Sequence, residues 1–136
     1  MTDETVRVGD MPRGVRQLAS ERGWRVAGSS AVLDLPGGRT QAVQVSLEQR
    51  HDGTRILRLV TYVGQADRID GARAQAALAL NARLAHGAFA IAEDRFCLLD
   101  VLEADAVSDD SLAHAIEYMA ATADRCEALL FGADAH

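Results

Sequence analysis

The sequence predicts an α+β domain with one antiparallel sheet of about five strands and helices packed on one face of that sheet. Hydrophobic residues make up 49% of the 136 residues and charged residues 25%, as in globular proteins with a single core. Apolar residues alternate with a strand period in the middle of the chain and recur with a helical period near both ends. The predicted order is α-β-β-β-α-β-β-α, in one domain over residues 11–131.

The first helix is predicted from a short apolar stripe near the N-terminus. Pro12 suits a first helical turn, Met11, Val15 and Leu18 are spaced four and three residues apart, and Gly23 ends the pattern. Polar residues 1–10 before it are expected to form a flexible N-terminus, and residues 132–136 a short tail.

Three strands are predicted next. Residues 31–35 end at the turn sequence of residues 36–38, and residues 41–49 alternate between apolar and polar positions. An Asp-Gly pair within residues 51–53 predicts a hairpin turn to a returning strand, residues 55–63. This last strand is apolar on both sides: one set is Leu57, Leu59 and Val63, and the other is Ile56, Val60 and Tyr62.

A second helix is predicted over residues 67–85, with Gly87 just beyond its end. Its apolar residues do not form a single stripe, so we expect it to be buried on more than one side. Apolar surface of this kind is commonly buried between two copies of a chain, which predicts a homodimer. The expected dimer contacts are Ile69, Ala72, Ala76 and Leu80.

A second hairpin and a closing helix complete the predicted fold. Strands at residues 88–91 and 96–103 are joined by an acidic turn at Glu93 and Asp94. Ser108 is predicted to cap the last helix. The apolar positions of that helix recur every three or four residues, at Leu112, Ile116, Met119, Ala123, Cys126 and Leu130.

No motif in the sequence predicts catalysis, a metal site or a cofactor. The glycines lack the spacing of a phosphate-binding loop, and the cysteines and histidines lack the spacing of a zinc site. Cys97 and Cys126 lie within apolar patterns and are expected to be reduced core residues. His114, Glu117 and Tyr118 are spaced to converge on one side of the last helix, but a polar flank of an amphipathic helix explains them as well.

The charge distribution restricts the class of partner. The formal net charge is −6, and the acids concentrate in the second half of the chain. An acidic surface disfavours nucleic acid and anionic membrane as partners, whereas a polypeptide partner remains compatible. Acidic residues precede any apolar stretch at the N-terminus, and no apolar run approaches the roughly 20 residues of a membrane span. We therefore expect a cytoplasmic protein.

Residues 77–103, ALALNARLAHGAFAIAEDRFCLLDVLE, resemble the YbjN-like and class I type III secretion chaperone-like (CesT-type) group. In that group a helix ends in a Leu-Asn pair, here Leu80 and Asn81, before a glycine and a Phe-containing strand, here Gly87 and Phe89. The order of elements matches over residues 11–131. The resemblance implies a non-enzymatic, chaperone-like domain, because class I type III chaperones are dimers that hold an unfolded segment of a secreted protein on apolar strand surfaces.

Helices can cover only one face of the predicted sheet, so the strands carry more apolar surface than one core needs. This surplus predicts either a dimer interface or a surface that accepts a protein or peptide client. Ile56, Arg58, Val60 and Tyr62 are the expected partner-binding residues, and Arg58 is expected to pair with an acid of the partner. The partner would add a strand at a sheet edge or lie in a groove. The alternative function is a regulatory or immunity-type protein that binds one folded target.

Overall fold

A computed structural model describes residues 11–131 of the chain. The segments 1–10 and 132–136, expected to be a flexible N-terminus and a tail, lie outside the described residues. The strands are β1 (Arg25–Ala27), β2 (Ser30–Leu35), β3 (Arg39–Gln49), β4 (Arg55–Gln65), β5 (Ala88–Ala92) and β6 (Arg95–Glu103). The helices are α1 (Arg13–Arg22), α2 (Gly71–Leu80) and α3 (Asp109–Phe131), with short 3-10 helices at Ala66–Arg68 and Asn81–Arg83.

All six strands form one open antiparallel sheet in the order β1-β2-β3-β4-β6-β5. The predicted α+β class is therefore confirmed, and the order of elements is close to the predicted one. The sheet has one strand more than expected, because β1 pairs with β2 across a tight turn at Gly28. Gly28 has φ +62°, a left-handed conformation that glycine adopts without steric cost. A three-residue strand is too short to show a periodic pattern in the sequence.

The predicted hairpin turns are all present. The turn between β3 and β4 is held by the carboxylate of Asp52, which accepts a hydrogen bond from the Thr54 N–H at 2.9 Å. The turn between β5 and β6 has positive φ at both Glu93 and Asp94, which matches the right-handed twist of the strands on either side. These turns set the register in which β3 pairs with β4 and β5 pairs with β6.

The hydrophobic core lies on one side of the sheet, which we call the inner face. The side chains of the inner face alternate along the strands with those of the opposite side. Its buried sheet residues are Ala31, Leu33, Val43, Val45, Leu57, Leu59, Val63, Phe89, Phe96 and Leu98. The amphipathic helix α3 packs across this face, and all six predicted apolar positions of α3 are buried. α1 adds Val15 and Leu18 to the same core.

The second helix is shorter and more exposed than its sequence predicted. Asp70 caps α2, because its carboxylate accepts a hydrogen bond from the Arg73 N–H at 2.8 Å. The expected helix over residues 67–85 is instead one α-helix between two 3-10 turns. Only Ala77 of α2 is buried, so the expectation of burial on several sides is wrong. Within the described chain, no other element packs on the side of α2 that faces away from the core.

Two arginines form ion pairs with residues of α3. Arg39 at the start of β3 forms a bidentate pair with Asp124 of α3, at 2.9 and 2.8 Å. Arg22 at the end of α1 bonds to Asp110 at the start of α3 at 3.1 Å. No helix of the described residues is long and apolar enough to span a membrane.

Candidate partner-binding face

The opposite side of the sheet, which we call the outer face, carries apolar side chains from two neighbouring strands, β4 and β6. In β4 the four expected partner-binding residues, Ile56, Arg58, Val60 and Tyr62, all belong to this face, since their neighbours Leu57, Leu59 and Val63 lie in the core. In β6 the outer residues are Cys97, Leu99 and Val101. Val60 lies directly across from Leu99, and Tyr62 across from Cys97.

The residues of this patch differ in exposure. Val101 is 42% exposed, and Val60, Tyr62 and Leu99 are each partly exposed. Ile56 is only 5% exposed although it is absent from the core cluster of the inner face. The accessible centre of the outer face is therefore the Val60–Leu99 pair with Val101 and Tyr62. Sequence reasoning did not assign Leu99 and Val101 to the site, because strand pairing is what brings β6 beside β4.

Arg58 does not present a free guanidinium to a partner. It forms a bidentate ion pair with Glu48 on the neighbouring strand β3, at 2.7 and 2.9 Å. The hydrogen bond from Arg58 holds the pKa of the Glu48 carboxyl below its ordinary value. The expectation that Arg58 pairs with an acid of the partner therefore requires that acid to displace Glu48. Arg58 and Glu48 instead form a closed polar border along one side of the apolar patch.

The end of β4 has an irregular geometry at which the outer face continues into a cavity. The pairing of β4 with β6 shifts between Tyr62 and Gly64, as in a β-bulge. Gly64 is packed closely against Phe131 of α3: a Cβ placed on it would lie 2.7 Å from Phe131 Cζ. Glycine at this position thus permits the close approach of the helix end to the strand.

A cavity of about 280 Å³ opens beside this bulge. Tyr62, Gln65, Arg68 and Arg95 line it on the strand side, and Glu127 and Phe131 line it on the α3 side. Arg95 is held by its stacking on Tyr62, with its guanidinium carbon 3.9 Å from the ring centroid. Nothing in the sequence pattern marked Arg68 or Arg95. Arg68 lies just beyond the end of β4, and Arg95 is distant from Tyr62 along the chain and reaches it through the pairing of β4 with β6.

The edges of the sheet offer little room for an added strand. At the β5 edge, Asn81 Oδ1 accepts a hydrogen bond from the Phe89 N–H at 2.7 Å, so a side chain already occupies this backbone donor. In an edge strand the backbone N–H and C=O groups that point away from the sheet belong to every second residue. In this five-residue strand the next residue after Phe89 with such free-edge backbone groups is Ile91. The other edge strand, β1, has three residues. Short and covered edges are a common protection against strand addition.

The expected dimer residues lie in two different environments. Ile69 and Leu80 pack against the protein's own core, whereas Ala72 and Ala76 are exposed on α2. Leu78, also on α2, is 64% exposed. Ala72 and Ala76 lie one turn apart on one side of α2, whereas Leu78 lies on another side, so the apolar surface at Ala72 and Ala76 is small. Its contact with a second copy stays a prediction.

Two of the three residues His114, Glu117 and Tyr118 converge on one neighbour. The rings of His114 and Tyr118 both contact the ring of His86, with centroids 5.4 and 5.3 Å apart. Tyr118 also accepts a hydrogen bond from the Ala85 N–H at 3.0 Å, whereas Glu117 approaches Arg22 at 3.8 Å. Among the described residues, no group of three or more His, Cys, Asp or Glu side chains is placed to hold a metal ion.

Both cysteines are buried and free. Burial raises the pKa of Cys97 and of Cys126, which keeps both thiols protonated and poorly reactive near neutral pH. Cys126 lies in the core, as expected, whereas Cys97 belongs to the outer face beside Tyr62.

Comparisons of the chain with protein-family models and with curated proteins found no match.

Proposed function

We propose that the chain is a non-enzymatic, chaperone-like module that holds a peptide segment or a protein partner on the outer face of its sheet. One observation carries this proposal: β4 and β6 place adjacent apolar side chains, Val60, Leu99 and Val101, on the face opposite the helices. Apolar side chains grouped on a surface are typical of interaction sites. The resemblance of residues 77–103 to the secretion-chaperone-like group is the second ground for the proposal.

The geometry favours a segment laid on the face over a strand added at an edge. Asn81 already accepts the hydrogen bond of the Phe89 N–H in β5, and β1 is very short, whereas the outer face offers side-chain contacts along two long strands. Contacts of this kind select a partner by its apolar side chains. A polypeptide partner also agrees with the net charge of −6, which disfavours nucleic acid and anionic membrane. We place such a module in the cytoplasm.

A homodimer through α2 is a separate part of the proposal. Ala72 and Ala76 lie exposed on one side of the helix and are small enough to let a second helix approach closely. Ala76→Arg should then convert a dimer into a monomer, measured by light scattering at micromolar concentration. A wild-type protein that is monomeric under these conditions would refute the dimer and leave the outer face untouched.

The test of the main proposal is a selection of random short peptides displayed as N-terminal fusions. We expect the protein to select apolar peptides, and Val60→Asp to abolish their binding while circular dichroism and thermal unfolding show a folded protein. Leu129→Asp is the matched control, because Leu129 is 68% exposed on α3 and the chemical change is similar. Equal binding by both variants would refute the outer face as the site.

The regulatory or immunity-type alternative differs in the state of the partner. Partners that copurify with the protein can be identified by mass spectrometry and their contact regions mapped by limited proteolysis. An extended segment protected by the wild type, but not by Val60→Asp, supports the chaperone-like function. Protection of a folded domain supports the alternative.

A further inference from the structure

The cavity at the end of β4 is continuous with the proposed partner-binding face. Tyr62 belongs to both, since its strand position places it on the outer face and it also lines the cavity. Val60 is two residues before Tyr62, and a strand advances about 3.3 Å per residue, so the two sites are roughly 7 Å apart. An extended segment lying on Val60 and Leu99 would therefore reach the cavity with a side chain about two to four residues away.

The cavity is lined by two cationic side chains, those of Arg68 and Arg95. Within residues 11–131, neither Arg68 nor Arg95 forms an ion pair. Arg95 is fixed by its stacking on Tyr62, which directs its guanidinium to the cavity side of the face. By contrast, most other arginines that line the sheet, including Arg25, Arg39, Arg55 and Arg58, are paired with an aspartate or a glutamate.

Glu127 also lines the cavity, from the α3 side, but among the described residues no ion pair joins it to Arg68 or Arg95. The group that best fits the space between Arg68 and Arg95 is a carboxylate, because guanidinium groups bind carboxylates through charge-assisted hydrogen bonds. A cationic side chain would meet two like charges there.

We propose that the partner segment carries an Asp or Glu side chain that binds between Arg68 and Arg95, next to the apolar residues that bind the outer face. The inference rests on the proposed function and specifies the partner as an apolar segment with an adjacent acid. The acid sets the direction and register of the segment, while the apolar contacts with Val60 and Leu99 hold it on the sheet.

The displayed-peptide selection tests this inference, because N-terminal fusions lack a free C-terminal carboxylate and any acid selected must be a side chain. We expect the selected peptides to combine apolar residues with Asp or Glu two to four positions away. The consensus peptide and a version with the acid changed to its amide are then compared by fluorescence anisotropy. The amide should bind about fivefold more weakly, and high salt should reduce that difference.

Charge reversal in the protein completes the test. Arg68→Glu should weaken the binding of the acidic peptide about fivefold. A peptide with Lys in place of the acid should recover part of the lost affinity for this variant. Arg16→Glu on α1 is the control, since Arg16 is exposed and lies outside the cavity, and it should change binding less than twofold.

The outcomes separate the two proposals. Apolar peptides without an acid preference, or an acid preference that Arg68→Glu leaves unchanged, would refute the acid-binding cavity. Loss of their binding in Val60→Asp would still support the outer face. If no peptide is selected at all, the proposed function fails and the acid-binding cavity fails with it.

Discussion

The two faces of the sheet have similar sequences but opposite surroundings. Along β4 the inner residues Leu57, Leu59 and Val63 are buried beneath α3, while Val60 and Tyr62 on the outer face remain partly exposed. Both sets are apolar, so hydrophobicity alone does not distinguish them. Burial by a helix is what separates core from candidate site.

One strand therefore contributes to the core on one side and presents accessible apolar side chains on the other. The inner face is fixed by close packing, in which each residue is constrained by its neighbours. The outer face is constrained only by strand propensity and by the Arg58–Glu48 pair. Substitutions of its accessible residues should therefore have smaller effects on stability. The following predictions test whether the two faces respond as differently as this account requires.

The largest effect is expected for a charge on the inner face. Leu59 is fully buried, so Leu59→Asp would place a carboxylate in the core without a partner. We expect a loss of at least about 4 kcal/mol in the free energy of unfolding, enough to prevent folding of a marginally stable domain. Circular dichroism and denaturant unfolding measure this directly. A folded Leu59→Asp protein of near wild-type stability would contradict the assignment of the inner face.

The next effect concerns the contact between the strand end and α3. Gly64→Ala places a methyl group 2.7 Å from Phe131 Cζ, so the ring or the strand must move. We expect a cost of about 1–3 kcal/mol in the free energy of unfolding. In a Phe131→Ala background the same substitution should cost much less, since the obstructing ring is gone. Equal costs in the two backgrounds would mean that this contact does not constrain the bulge.

Val60→Asp is the outer-face counterpart of Leu59→Asp and should have a smaller effect on stability. Aspartate has low strand propensity, which costs about 1 kcal/mol, but its carboxylate can reach water from this face. Thermal unfolding of the two neighbouring variants gives the comparison. Unfolding of Val60→Asp to the same extent as Leu59→Asp would show that the outer face is as buried as the inner one.

The smallest effect is expected for the polar border of the outer face. The hydrogen bond from Arg58 lowers the pKa of Glu48 in the folded protein. The stabilisation from this ion pair is therefore fully present above pH 4.5, the ordinary pKa of the group, and is lost as the pH falls through the lower pKa of the folded state. Glu48→Gln should reduce the free energy of unfolding by about 1 kcal/mol near neutral pH. The difference should disappear in acid, below the lowered pKa of Glu48 in the folded protein.

Glu103→Gln provides the control for this pH dependence, because Glu103 is exposed on the same face and forms no ion pair within the described chain. Its stability should match that of the wild type at both pH values. A constant difference between Glu48→Gln and wild type from neutral to acid pH would refute the role assigned to the ion pair.

The sequence predicted most of the fold because its signals were local. The turns at Asp52 and at Glu93, the stripe of α3 and the alternation of β3 each depend on residues close together in the chain. β1 was missed because three residues show no period. α2 was predicted too long, because the capping carboxylate of Asp70 and the bond from Phe89 to Asn81 divide the segment.

The candidate site was predicted only in part for a different reason. Alternation in β4 indicated which residues share a face, but the contributions of Leu99 and Val101 depend on the register between β4 and β6. The cavity depends further on the fold around the bulge at Gly64, where Arg68 and Arg95 both line it. The ion pair of Arg58 with Glu48 could not be predicted from the alternation within β4, because Glu48 lies on another strand. Such long-range pairings are not encoded in local periodicity.

Methyl NMR of the protein with the selected consensus peptide tests the central claim most directly, since it reports the two faces separately. We predict that the methyl signals of Val60, Leu99 and Val101 shift on binding, while those of Leu59 and Val45 in the core stay in place. Shifts at Leu78 or Leu129 on the helices, with the methyl signals of the outer face unchanged, would contradict the account.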